Sequence, residues 1–80
     1  MTDHSIPLSM AAPDKAYTIS RISTDSNASS ALKGYGIFPG STIKHVFSSP
    51  SKDPSAYEVM GTIIALRRDL AEKIFIFSVK

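Results

Sequence analysis

The sequence predicts a mostly β chain. We expect a small barrel of about five short strands, with one short helix inserted after the first strand and one helical turn before the last. Three observations predict it. Several segments alternate apolar and polar residues with the period of two that strands impose. Turn-forming residues separate them, with Pro13-Asp14, Pro39-Gly40, Pro54 and Gly61 the clearest. The chain is only 80 residues long and has no cysteine, so neither a disulfide nor a thiolate metal site is available. A domain this small has a marginal core, and closing the sheet is one way to shield its edges.

In chain order, Met1–Ser5 is polar and reads as a frayed tail, leaving residues 6–80 as one domain. Ile6-Pro7-Leu8 is a short apolar segment, placed at a sheet edge because proline cannot donate to a ladder. Ala12-Pro13-Asp14 reads as a turn. Lys15–Ile22 is the first full strand. Tyr17 and Ile19 share a face and Ile22 falls on the other, which predicts a bend or bulge near Arg21. Asp25, Ser26 and Asn27 are each suited to cap a helix over about 28–35, with Leu32 and Tyr35 on one side. Gly34 weakens its last turn.

The stretch Gly34–Ile43 ends that helix, turns, and launches a strand. Gly36 reads as the residue just past the helix end. Pro39-Gly40 fits the centre of a type II turn. Ile37 and Phe38 between them are too apolar for a free loop, so at least one should enter the core. Ser41–Phe47 is the next strand, with Ile43, His45 and Phe47 on one face. A polar loop, Ser48–Ser55, leads to a strand over Ala56–Met60, with Tyr57 and Val59 together. After a bend at Gly61, the run Ile63-Ile64-Ala65-Leu66 predicts a strand buried on both faces. Arg68–Glu72 is one helical turn, with Ala71 against the sheet. Lys73–Val79 is the last strand, Ile74 and Ile76 on one face, Phe75 and Phe77 on the other.

The residues from Leu32 through Tyr35-Gly36-Ile37-Phe38-Pro39-Gly40 to Ile43, then Asp53-Pro54, Gly61, Ile64-Ala65-Leu66-Arg67, Ala71 and Ile74, together resemble the ferrous iron transport protein A (FeoA) family. The resemblance covers about residues 15–77. Members often carry Gly-Asp-Pro where this chain has Lys52-Asp53-Pro54, and an aliphatic residue where it has His45. The resemblance implies an SH3-like barrel and an accessory role in ferrous iron uptake. It implies a partner as well, the cytoplasmic part of the FeoB-type membrane transporter, which carries a GTPase domain. A similar barrel forms a terminal domain of metal-dependent repressors, so the fold does not choose between roles.

Lys plus Arg number 9 and Asp plus Glu 7, a net charge of +2, with a pI of about 9.1. The basic residues are scattered, and only Arg67-Arg68 are adjacent, so a nucleic-acid-binding barrel is the lesser alternative. No run approaches the roughly 20 apolar residues of a spanning helix, and no signal peptide is evident, which predicts a cytoplasmic protein without membrane insertion. Catalysis is not expected. No Gly-x-Ser-x-Gly elbow or phosphate-binding Gly-Lys-Ser/Thr loop is present, and His4 and His45 are the only imidazoles. No cofactor and no dedicated metal site is expected. His45 reads as half-buried between Ile43 and Phe47, with a ring nitrogen hydrogen-bonded; Asp53 and Glu58 read as solvated.

The partner-contact residues expected are Ile37, Phe38, Pro39 and Arg67. Of Ile37 and Phe38, the exposed one should make the contact. For Arg67 a structural role is favoured, its fork suiting a carboxylate or backbone carbonyls; Arg68 reads as a surface charge. A third reading is a barrel that associates weakly with itself or takes up a peptide along its edge.

Overall fold

The computed structural model describes residues 5–48 and 53–78. They form one antiparallel sheet of six strands: β1 (Ile6–Pro7), β2 (Ala16–Ile22), β3 (Thr42–Ser48), β4 (Ser55–Val59), β5 (Thr62–Leu66) and β6 (Ile74–Ser78). A 3-10 turn over Leu8–Met10 follows β1. Helix α1 (Ser26–Gly34) joins β2 to β3, and the single turn α2 (Arg68–Ala71) joins β5 to β6. The spatial order is β1-β6-β2-β3-β4-β5. Residues 1–4 of the expected tail Met1–Ser5, most of the serine-rich loop (residues 49–52) and the chain's last two residues lie outside the described residues.

The mostly β class and the two helical insertions agree with the expectation. The sixth strand is the short Ile6–Pro7 segment, an edge as its proline requires. Closure is not made. The sheet ends at β1 and β5, and no strand pairing joins them among the described residues. The sheet still encloses a single core. Leu8, Tyr17, Ile19, Ile43, Val59 and Leu66 from successive elements bury into one cluster with Ile74 and Ile76. A single-layer sheet whose strands all feed one cluster must curl around it. Each such side chain contributes roughly 1.5–3 kcal/mol of burial.

Two bulges decide which residues face that core. In β2, Ile19 lies opposite Ile76 while Arg21 lies opposite Phe75, which leaves Ser20 as the extra residue. The slip turns Ile22 back to the core side, opposite buried Ile74. Arg21 instead lays its guanidinium over the Phe75 ring, 4.0 Å from the centroid. In β3, His45 lies opposite Tyr57 and Phe47 opposite Ala56, so Val46 is extra. This slip carries Phe47 off the core face and exposes it. The expected face shared by Ile43, His45 and Phe47 therefore ends at His45.

Strand β5 departs from expectation more sharply. Its apolar run is not buried on both faces: only Leu66 is buried, and Ile63 is 53% exposed. It is the outermost strand, and no further strand pairs with it among the described residues.

Candidate functional site

Asp25 is the helix cap among the three candidates. Its carboxylate accepts the Ala28 N–H at 2.8 Å, satisfying one of the free donors of the first turn. At the other end, the Gly36 N–H donates to the Lys33 carbonyl at 3.0 Å, and the Ile37 N–H donates to the Leu32 carbonyl at 2.9 Å. These two bonds are a Schellman motif, and Gly36 takes the left-handed position it needs, with φ of 93°. The motif brings Ile37 over Leu32, and both are in the core.

Three residues further on, the Ser41 N–H donates to the Phe38 carbonyl at 3.0 Å, closing a turn around Pro39 and Gly40. Gly40 has φ of 97°, as the third position of a type II turn demands. The turn is pinned to β2: Gly40 N–H donates to the Ile19 carbonyl, and Ile19 N–H donates to the Ser41 carbonyl, both at 2.8 Å. Ile37 is 0% exposed and cannot reach a partner from inside the core. Phe38 is half-buried and Pro39 exposed, so the pair divides as expected, with Phe38 as the outer member.

Arg67 caps α2 with its backbone carbonyl, which accepts the Leu70 and Ala71 N–H groups, but its side chain does not serve the fold. Its side chain is 79% exposed, and its Nε lies 4.0 Å from an Asp69 carboxylate that is just as exposed. Such a pair is worth little in water. The side-chain and amide contacts expected of Arg67 belong to the next residue, Arg68. The Arg68 backbone N–H donates to Asp53 Oδ1 at 2.9 Å, and the Arg68 guanidinium pairs with Glu72 one turn on at 3.5 Å. Asp53 is thus exposed but engaged.

His45 is half-buried, and its Nδ1 lies 3.2 Å from the Ala11 carbonyl. That contact selects the tautomer with the proton on Nδ1. The ring packs on Tyr57 at a centroid distance of 5.2 Å, in place of the expected Phe47. Burial pushes the Tyr57 phenol above its ordinary value, against an opposing hydrogen bond with Ser55. No three His, Cys, Asp or Glu side chains are grouped to hold a metal ion among the described residues.

A second surface was missed in the sequence. Between α1 and β5 runs an open groove of about 540 Å³, lined by Ala28 and Ala31 on the helix, Tyr35 just past its end, Ile64 and Leu66 on the strand, and Leu70. Tyr35 is 60% exposed at its rim. The signal was there in the β5 run. Consecutive apolar residues mark either a strand covered on both faces or an edge that shows apolar surface. The groove offers apolar side chains and a bare strand edge, which suits binding more than reaction chemistry.

The FeoA domain family matches residues 6–77 of this chain. Among solved structures, the chain is similar to the iron uptake regulatory protein FeoA, at 27% identity and a TM-score of 0.82, over 96% of this chain and 100% of that one. It is similar to iron(II) transport protein A from Clostridium thermocellum, at 28% identity and a TM-score of 0.87, over 92% of this chain and 46% of that one. A manganese-dependent transcriptional repressor has a TM-score of 0.86 at 18% identity, over 99% of this chain and 44% of that one, a likeness of fold alone. No curated protein matches the sequence.

Proposed function

The chain belongs to the FeoA family, small proteins related to ferrous iron transport, and from that premise we propose that it is a non-enzymatic accessory protein of ferrous iron uptake that binds the cytoplasmic part of a FeoB-type transporter. The family match over residues 6–77 carries this reading. The proposed contact is the turn after α1, where the half-buried Phe38 ring and exposed Pro39 stand on a backbone fixed by hydrogen bonds at both ends. A rigid aromatic anchor loses little entropy on binding, which is why such residues dominate interface energetics. Arg67 adds an exposed guanidinium, held among the described residues by one loose ion pair, that can reach a carboxylate on the transporter. Contact there would bias the transporter's conformation or its GTPase cycle. No helix among the described residues is long and apolar enough to cross a membrane, which agrees with a protein that reaches the membrane through its partner.

The test is a binding measurement against the soluble GTPase part of the transporter and against the whole transporter, with and without nucleotide. Binding weakened by Phe38→Ala and by Arg67→Ala supports the reading. No binding to either form, together with normal ferrous iron uptake in a strain lacking this protein, overturns it.

A further inference from the structure

The two edges of the sheet are built differently. β1 is two residues long and contains a proline, a common way to blunt an edge. β5 is five residues long, Thr-Ile-Ile-Ala-Leu, with no proline and no charge. None of the usual devices against edge pairing is present in it.

The direction of its backbone groups follows from the β4–β5 hairpin. Met60 and Gly61 form a two-residue loop with φ of 53° and 80°, the signs of a type I′ turn. In such a hairpin the flanking pair, Val59 and Thr62, exchanges both hydrogen bonds, and bonded and non-bonded pairs then alternate. Tyr57 is bonded to Ile64 and Ser55 to Leu66. Glu58–Ile63 and Ala56–Ala65 are the non-bonded pairs. The alternation is visible on the far side of β4 as well. His45, opposite Tyr57, turns its carbonyl away from β4 and accepts the Asp14 N–H at 2.8 Å. The N–H and C=O groups of Ile63 and Ala65 therefore point outward, away from the sheet.

We propose that β5 pairs antiparallel with β5 of a second copy of this chain, about a two-fold axis at Ile64. Ile63 and Ala65 are placed symmetrically about Ile64. Laying Ile63 of each copy opposite Ala65 of the other satisfies the outward donors and acceptors of both residues in two pairs related by the axis. The register is self-complementary, as an isologous interface requires. The strand is uncharged, so no like charges meet across the axis.

The groove supports the same occupant. It lies beside β5 on the side of the sheet where α1 stands, and it is open where β5 ends the sheet. A continuous sheet through the axis keeps α1 of both copies on one side. The two half-open grooves then face each other over the paired Ile64 side chains. The exposed rim residue Tyr35 (60%) leaves water in the same step, and Ile63 (53%), on the opposite face of the sheet, packs beside Ala65 of the other copy. The inference is independent of the transporter contact, which uses the turn at Phe38.

The experiment is sedimentation velocity on the whole chain from about 10 μM to about 1 mM, a range that detects affinities down to the weakest useful dimer. The expected result is a concentration-dependent doubling of mass. Two variants place the interface. Ala65→Pro removes an outward N–H and spares the β4 ladder, so it should keep the far-ultraviolet circular dichroism of the parent and remain monomeric. Ile63→Lys puts a charge on the edge and should also remain monomeric; it decides the matter if Ala65→Pro fails to fold. A parent that stays monomeric throughout overturns the proposal. So does a dimer that persists in folded Ala65→Pro and in Ile63→Lys, which puts the interface elsewhere. A monomeric parent whose binding to the soluble transporter part is lost in Ile63→Lys also overturns it, and assigns the edge to a strand of that partner.

Discussion

The Met60 thioether closes over Gly36. Its sulfur lies 2.8 Å from where a β-carbon would stand on that glycine, and a Val59 methyl lies 3.2 Å from the same point. The tip of the β4–β5 hairpin is thus seated on the end of α1 through a contact that only a residue without a side chain permits. Gly36 answers two demands, a φ of 93° and this approach. Gly36→Ala should cost about 1–2 kcal/mol from the backbone alone, plus whatever Met60 loses by moving. Gly40→Ala has the same backbone cost with open space around it. Urea unfolding of both variants should find Gly36→Ala the less stable, and Gly36→Ala with Met60→Ala should recover part of the difference.

Gly34 is the opposite case. It lies inside α1, is exposed, and a β-carbon there meets nothing within 4 Å. Gly34→Ala should stabilise the fold by about 0.5–1 kcal/mol. Asp25→Ala, which removes the cap at the other end of the same helix, should destabilise by about 1 kcal/mol, while Asp25→Ser retains most of it. Thermal unfolding monitored by circular dichroism checks both.

Ile37 and Phe38 should separate stability from binding. Ile37→Ala empties a fully buried site and should cost about 2–5 kcal/mol. Phe38→Ala should cost about 1 kcal/mol of stability. In the transporter binding measurement it should weaken affinity by about tenfold or more, equivalent to about 1.4 kcal/mol. A Phe38→Ala protein that binds like its parent removes the turn from the interface.

Tyr57 makes the fold sensitive to alkaline pH. Burial holds its phenol above the ordinary value of 10.0, so the folded chain favours the neutral form. The unfolded chain ionises first. This contribution is complete below pH 10 and is lost as pH rises from there through the folded value. Urea midpoints should therefore fall above pH 10, and Tyr57→Phe should flatten that decline.

How far the sequence told this in advance depended on whether a feature is local. Gly36, Pro39 and Gly40 were legible because a backbone torsion is set by the residue that adopts it. The cap was legible to within three residues. The bulge in β2 showed as a misplaced Ile22, since an apolar side chain on the wrong face asks for a slip. The bulge in β3 gave no such sign. Phe47 fits a core face as well as an exposed one, and only the Phe47–Ala56 register decides. For β5, the side chains state that apolar surface is present but not which strand lies beyond it. The groove is a property of strand order, set by residues far apart in the chain. Arg67 was given a structural part that its neighbour's backbone N–H performs instead, a distinction side-chain chemistry does not encode.

Asp53 holds the first N–H of α2 across an interval that contains the whole β4–β5 hairpin. A four-residue helix cannot nucleate alone, since the first turn fixes several torsions for a single hydrogen bond. Its anchoring carboxylate comes within reach only after the hairpin has brought positions 53 and 68 together. We expect the hairpin to form first, α2 to follow, and β6 to close last between β1 and β2. Weakening the hairpin should slow folding, whereas weakening α2 should chiefly speed unfolding.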